Sequence, residues 1–199
     1  MCTRDSYYAM QGLRFGLSGY YGRSMHNTYP NDKEGEGKPY DKVKGEVIVG
    51  AFDFTLDRGG WIVRGNADYG YLGDAAKISE AKINATASGS PAKKSRVGKN
   101  AVALGIEAGY DLFSLSTKLR NDNQKFYIFG RYEYYDSYIP EKNQPEYAYT
   151  DKQRIAAGFN YYPLPQIAVK AEYSHRFLKS AYNDEPSISI GIAYQGFFM

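Results

Sequence analysis

The 199 residues carry 25 Lys and Arg against 22 Asp and Glu, a formal net charge of +3, and include 21 Tyr, 21 Gly and one cysteine. So small an excess, with the two signs mixed along the chain, gives no case for a nucleic-acid partner, and a lone Cys2 permits neither an internal disulfide nor a cysteine-built metal site. With mean hydropathy at −0.57 and no apolar run near the ~18 to 20 residues of a spanning helix, a helical membrane protein is excluded.

The opening "MCTRDSYYAMQG" has no apolar signal-peptide core, so the reading expects either a protein that is not exported or a start that is missing. From Gly12 onward, apolar and polar residues alternate with period two in eight segments, the signature of strands, and no segment has a convincing helical period. In "GLRFGLSGYYG" Leu13, Phe15, Leu17 and Tyr21 oppose Arg14, Ser18 and Tyr20. In "EVIVGAFDFTL" Ile48, Phe52, Phe54 and Leu56 oppose Val47, Val49, Asp53 and Thr55. "GWIVRGNADYGYL" sets Trp61, Val63, Ala67, Tyr69 and Tyr71 against Arg64, Asn66 and Asp68, and "AVALGIEAGYDLF" sets Val102, Leu104, Ile106, Ala108, Tyr110 and Leu112 against Glu107 and Asp111. "KFYIFGRYEYYD" is aromatic on both rows, with Arg131 and Glu133 marking the polar one. "QRIAAGFNYY" opposes Ile155, Ala157, Phe159 and Tyr161 to Arg154 and Asn160. "QIAVKAEYSHRFL" opposes Ile167, Val169, Ala171, Tyr173 and Phe177 to Lys170, Glu172, Ser174 and Arg176. The last, "SISIGIAYQGFFM", opposes Ile188, Ile190, Ile192, Tyr194 and Phe198 to Ser187, Ser189, Gly191, Ala193 and Gln195.

Segments of ten to thirteen residues exceed the usual globular strand of ~5 to 6 and suit a tilted membrane-crossing strand of ~9 to 11. The connections alternate in length. Long segments at 23–45, 73–99 and 137–151 take turns with short ones such as "DRGG" and "PLP", so one end of an up-and-down sheet is loop-rich and the other trimmed. Outer-membrane barrels have this asymmetry, with the long loops external. By the same count both chain termini fall at the short-turn end. The basic stretch "PAKKSRVGK" reads as part of a solvated loop.

Alternation alone does not say which row faces inward. A soluble barrel of the lipocalin kind encloses its apolar row around a ligand, whereas a membrane barrel turns that row to lipid. Strand length, loop asymmetry and the clustering of Tyr and Phe at strand ends ("SGYYG", "DYGYL", "YEYYDSY", "FNYYP", "QGFF") favour the membrane arrangement, with an aromatic girdle at the headgroups. The row holding Arg14, Asp53, Arg64, Asp68, Glu107, Arg131, Glu133, Arg154, Lys170, Glu172 and Arg176 then lines the interior. An open edge in lipid leaves backbone groups unpaired, so the sheet must close. Yet the small inward rows Ala101, Ala103, Gly105, Glu107, Gly109 and Ser187, Ser189, Gly191, Ala193 look too slight to fill an eight-stranded interior. They fit better in a wider barrel with a watery lumen or a folded-in loop, and together with the absent signal peptide they lead to the expectation that this chain is a barrel fragment, the C-terminal half of something larger.

Catalytic constellations are absent from the pattern. His26 lies in a long loop and His175 on an apolar row, with no third metal ligand in sight. Ser174 precedes His175, but adjacent strand residues point to opposite faces and do not form a nucleophile and base. The Gly motifs lack a following helix, and "NDKEGEG" lacks calcium-loop spacing.

The segments "GLRFGLSGYYGRSMHNTYP", "FDFTLDRGGWIVRGNADYGYLGDA", "YIFGRYEYYDSY", "QRIAAGFNYYPLPQIAVKAEYSHRFLKS" and "SIGIAYQGFF" resemble the C-terminal part of the phosphate-selective porin O and P family of Gram-negative outer-membrane porins. The resemblance implies a single all-β domain over 1–199, an antiparallel transmembrane β-barrel of about sixteen strands in full, often a homotrimer. It further implies contact with the bilayer and lipopolysaccharide. The terminal strand, with Tyr194 and Phe198, would be the signal read by the outer-membrane assembly machinery, and Met199 after Phe198 departs from the family's usual ending. The expected function is passive diffusion of small polar or anionic solutes through a water-filled lumen, with no catalytic residue, cofactor or metal. Because inward Arg and Lys are nearly matched by Asp and Glu, cross-strand pairing and weak selectivity are expected in place of a phosphate filter. The alternative is a small barrel with a structural or adhesive role through its long loops.

Overall fold

The computed structural model describes residues 2–24, 40, 42–85, 96–178 and 184–194. Its strands are β1 (Cys2–Met10), β2 (Leu13–Arg23), β3 (Glu46–Arg58), β4 (Trp61–Leu72), β5 (Asn100–Asp111), β6 (Lys125–Ile139), β7 (Asp151–Leu164), β8 (Ile167–Leu178) and β9 (Glu185–Tyr194). They form one antiparallel sheet in strict sequence order, nine strands wide. Long alternating segments joined by tight turns have no shorter route to satisfying their backbone groups than pairing each with the next.

The sequence predicts eight strands, and the ninth is β1. Its residues "CTRDSYYAM" place Arg4 and Asp5 on opposite rows, so neither row reads as apolar. Register supplies what the pattern lacks. Asp5 lies opposite Leu17 and Tyr7 opposite Phe15, which puts Asp5 on the row that is mainly apolar through the middle of the other strands. An odd strand count also corrects the expectation that both termini lie at the short-turn end. Cys2 pairs with Tyr20 and Tyr194 with Ile167, so β1 starts at the loop-rich end and β9 finishes at the trimmed end.

At the trimmed end, Gly59 and Gly60 both take positive φ, 63° and 84°, as a two-residue turn matched to the strand twist requires. Gln11 and Gly12 join β1 to β2, and Pro165 and Gln166 join β7 to β8. The longer β5–β6 crossing contains a 3-10 turn (Leu112–Leu115) and a short helix at Thr117–Asn121. Asp111 organises it, its Oδ1 accepting from the amides of Phe113 at 3.1 Å and Phe126 at 3.0 Å.

The loop-rich end holds the second departure from expectation, a helix α1 at Ala75–Ala85 inside the predicted loop 73–99. It contains the most deeply buried residues of the described chain. Ala75, Ile78, Ser79 and Ala81 are buried, as are Val43 and Tyr138. The Ser79 hydroxyl donates to the Ala75 carbonyl at 2.8 Å and accepts from the Val97 amide at 3.0 Å, fixing the helix to the strand-ward return of its own loop. Its small residues, which read as loop composition, are what allow this close approach.

Asp74 precedes α1 with φ at 56°. Its carboxylate accepts from the Lys44 amide at 3.0 Å and pairs with Lys77 at 3.3 Å, joining the β2–β3 connection to the helix. The Lys44 amide, then Lys77, hold its pKa below the ordinary carboxylate value. A depressed carboxylate contributes stability that is present above its unfolded pKa of ~3.9 and lost as pH falls through the folded value. Asp74→Asn is therefore expected to speed hydrogen exchange at the Lys44 amide near neutral pH, and the difference from the parent chain is expected to vanish in acid below the folded pKa.

Candidate functional site

Strand period places side chains on two faces, and register decides which residues meet across strands. One transverse line runs Arg14, Thr55, Arg64, Glu107, Arg131, Ala156, Ser174, Ser187 across β2 to β9. The next runs Gly16, Asp53, Asn66, Gly105, Glu133, Arg154, Arg176, Glu185. All eleven residues expected to line an interior share this face. Eight fall on these two lines, Glu172 and Lys170 lie on successive lines toward the trimmed end, and Asp68 lies one line toward the loops.

The belt is cross-linked. Arg14 meets Asp53 at 2.9 Å, and Arg131 lies 3.5 Å from Glu107 and 2.6 Å from Glu172. Arg154 meets Glu133 at 3.3 Å, Glu172 at 2.8 Å and the Ser174 hydroxyl at 3.0 Å, while Arg176 pairs with Glu185. Arg64 is the loosest of the arginines, 3.9 Å from Glu107 and 58% exposed. Asp68 accepts from the Asn66 amide at 2.8 Å. Ser174 and Ser187, both on the expected inward rows, join at 2.8 Å, and with Glu185, which sequence reasoning missed, they carry the belt onto β9.

The Arg131–Glu172 pair spans two strand intervals. Arg131 stands on β6 and Glu172 on β8, with Ala156 and Gly158 of β7 between them in register. Small residues elsewhere on this face do the same service. A methyl on Gly16 would meet Asp53 Oδ1 at 3.0 Å, and one on Gly105 would meet Asn66 Oδ1 at 2.6 Å. The small rows are thus seats over which long polar side chains lie.

The opposite face is mainly apolar through the middle of the strands, and no layer of the described residues covers it. Ile188, Ile190 and Ile192 are 76%, 79% and 78% exposed, and Leu17, Phe52, Leu104, Ile128, Ile155 and Phe159 are exposed beside them. Val169 on the same face is half-buried. Glu172, by contrast, is only 19% exposed. Aromatic rings gather on the apolar face at the trimmed end, where Trp61 lies 4.9 Å from Tyr110 and Phe126 lies 5.4 Å from Phe159. His175 is also on this face, its ring 3.2 Å from Asp184, while Ser174 faces the belt. Tyr194 is the last described residue; Phe198 and His26 lie outside the described residues.

At the loop-rich end, Lys99 pairs with Glu141 at 3.0 Å, and that hydrogen bond raises its pKa above the ordinary lysine value. Arg96 donates to Gln144 at 2.5 Å, and Tyr138, Tyr147 and Tyr149 form a ring cluster with centroids 4.6 and 5.5 Å apart.

No protein-family model matches the chain, and no curated protein matches its sequence.

Glu172 is the hub of the belt, since two guanidiniums converge on it. Its partial burial places the cost of removing it between that of an exposed pair and a buried one. Glu172→Gln is expected to destabilise the fold by about 1 to 3 kcal/mol, read as a lower urea midpoint for unfolding.

Proposed function

We propose that this chain forms part of the wall of an outer-membrane porin of a Gram-negative bacterium, through which small polar or anionic solutes diffuse passively. The observation that carries the reading is the separation of the two faces. A row of isoleucines and aromatics stands uncovered along the sheet, while the opposite face gathers its charges into a paired belt. Exposing an apolar side chain to water costs about 1.5 to 3 kcal/mol relative to burying it. Lipid removes that cost, and a water-filled lumen suits the belt.

The resemblance to the phosphate-selective porin O and P family agrees with this reading, as do strands of nine to fifteen residues. In the bilayer, unpaired edges at β1 and β9 would be costly, so further strands complete the wall. Because β1 and β9 run in the same direction, an all-antiparallel closure takes an odd number of additional strands, seven for a barrel of about sixteen. The partners that follow are the bilayer, lipopolysaccharide, the assembly machinery and two further copies in a homotrimer. The belt is a lining and performs no chemical step. Its basic members Arg14, Arg64, Arg131, Arg154, Lys170 and Arg176 face Asp53, Asp68, Glu107, Glu133 and Glu172, so its fixed charge is small and its anion preference weak.

A second reading, a structural or adhesive barrel, draws on the tyrosine cluster of the loop-rich end. Planar-bilayer recording separates the two. Discrete conductance steps with a slight anion preference are expected, and Arg131→Gln with Arg154→Gln is expected to move the reversal potential toward cation preference. Silent bilayers from the complete barrel that contains this chain would overturn the porin reading and favour adhesion.

A further inference from the structure

We propose that the polar face binds ring-bearing carboxylates, aromatic monocarboxylates of the benzoate class, in a basin at the trimmed end of the sheet. The inference rests on the porin reading in one respect, that this face borders water. The basin has a volume of about 480 Å³ and is bounded by β4 to β8 and the β5–β6 crossing. That size falls within the ~300 to 1,000 Å³ of small-molecule sites.

The floor is aromatic because two glycines make it so. Phe129 lies in register between Gly109 on β5 and Gly158 on β7. A methyl on Gly158 would meet the Ala171 carbonyl oxygen and would stand 3.0 Å from Phe129 Cζ, so the phenyl ring lies down over β7. On Gly109 the added carbon would stand 3.3 Å from Phe129 Cβ. Tyr127 and Tyr162 meet edge to face beside it, centroids 6.1 Å apart at 86°. A flat ring entering the basin finds a ring below and ring edges at its side, the geometries that aromatic pairs prefer.

The rim is cationic. Lys125 and Lys170 are exposed and have no ion-pair partner among the described residues. Arg64 also reaches the rim, and Asn123 and Asn160 supply amides between these cations. Glu107 is the one carboxylate in the lining, and Arg131 holds it at 3.5 Å. Asp111, opposite Tyr127 in register, is buried and occupied by two backbone amides. An anion is therefore favoured over a cation. The two arginines with close carboxylate contacts beside the basin, Arg131 and Arg154, are engaged by Glu107, Glu133 and Glu172. With those forks occupied, the basin offers the single fork of Arg64, two lysines as point charges and a large ring surface, which suits a monocarboxylate with an apolar body better than inorganic phosphate.

Calorimetric titration of the complete barrel that contains this chain, folded in detergent micelles, tests this with benzoate, acetate, inorganic phosphate and benzylamine. Benzoate is expected to bind at millimolar level, with acetate, phosphate and benzylamine weaker. Lys170→Gln and Lys125→Gln, at exposed positions where folding is not at stake, are each expected to lower benzoate affinity about fivefold to tenfold. Phe129→Ala is expected to lower it by a similar factor while leaving acetate unchanged. A benzoate isotherm unaltered in both lysine variants, or phosphate binding as tightly as benzoate, would overturn the proposal. Because micelle binding needs no conductance, the two readings fail separately. Conductance without a benzoate isotherm removes the basin alone, and a lysine-dependent isotherm with silent bilayers removes the pore alone.

Discussion

Glu172 is clasped by guanidiniums from two other strands, Arg131 at 2.6 Å and Arg154 at 2.8 Å, and much of the polar face is organised around that convergence. An exposed ion pair contributes little, because water competes for both charges and two long side chains lose rotamer freedom. Here each arginine reaches two or more acidic partners, each carboxylate at the centre is shared, and exposure falls to between a fifth and a third. A network held over several strands resists the loss of any one contact. It also ties β8, next to the edge, to the middle of the sheet. The small residues of the polar face are part of the same interaction, since Ala156 and Gly158 leave room for the crossing.

The apolar face has no equivalent partner within the described residues. Sheets in water normally bury one face against another layer, yet the deepest burial in this chain is at the loop-rich end around α1, Val43 and Tyr138. The strands themselves contribute few buried apolar side chains, Ala156 and Ala168 among them. A sheet ordered by strand-to-strand hydrogen bonds and a polar-face network, with its apolar face exposed among the described residues, fits the proposed wall. Asp5 is a charge on that face, on the edge strand β1, and Arg58, Asp136 and Asp151 stand on the same face at strand ends.

Most of the strand arrangement was legible because period two is a local signal, and eight of nine strands carry it cleanly. β1 was not legible, because Arg4 and Asp5 put a charge on each row and only pairing with β2 reveals which row is which. Helix α1 was not legible because "AAKISEAKINA" is short and weakly amphipathic, and its stability comes from Ser79, Val97 and the Asp74 anchor, which are tertiary contacts. At the candidate site, the identity of the charged row could be read directly. Its connectivity could not, because whether Arg131 meets Glu172 or a nearer acid depends on two registers at once and on Ala156 and Gly158 being small.

Register is also what makes belt and basin one construction. Irregularities in pairing occur between Tyr8 and Met10, between Asn100 and Val102, and between Tyr161 and Leu164, all near strand ends. Through the belt the pairing from β2 to β9 is uninterrupted. A one-residue slip anywhere in that stretch would carry every charge beyond it to the apolar face, so the ion pairs and the sheet register enforce each other. The same lines, continued toward the trimmed end, bring Gly109, Phe129 and Gly158 together and then Tyr127, Asn160 and Lys170. Where the belt sets its arginines on acids, the neighbouring lines carry lysines with no ion-pair partner among the described residues and lay a ring between glycines. A strongly paired stretch and an unpaired cationic one therefore sit within a few residues of each other on one face, and the second is held in place by the first.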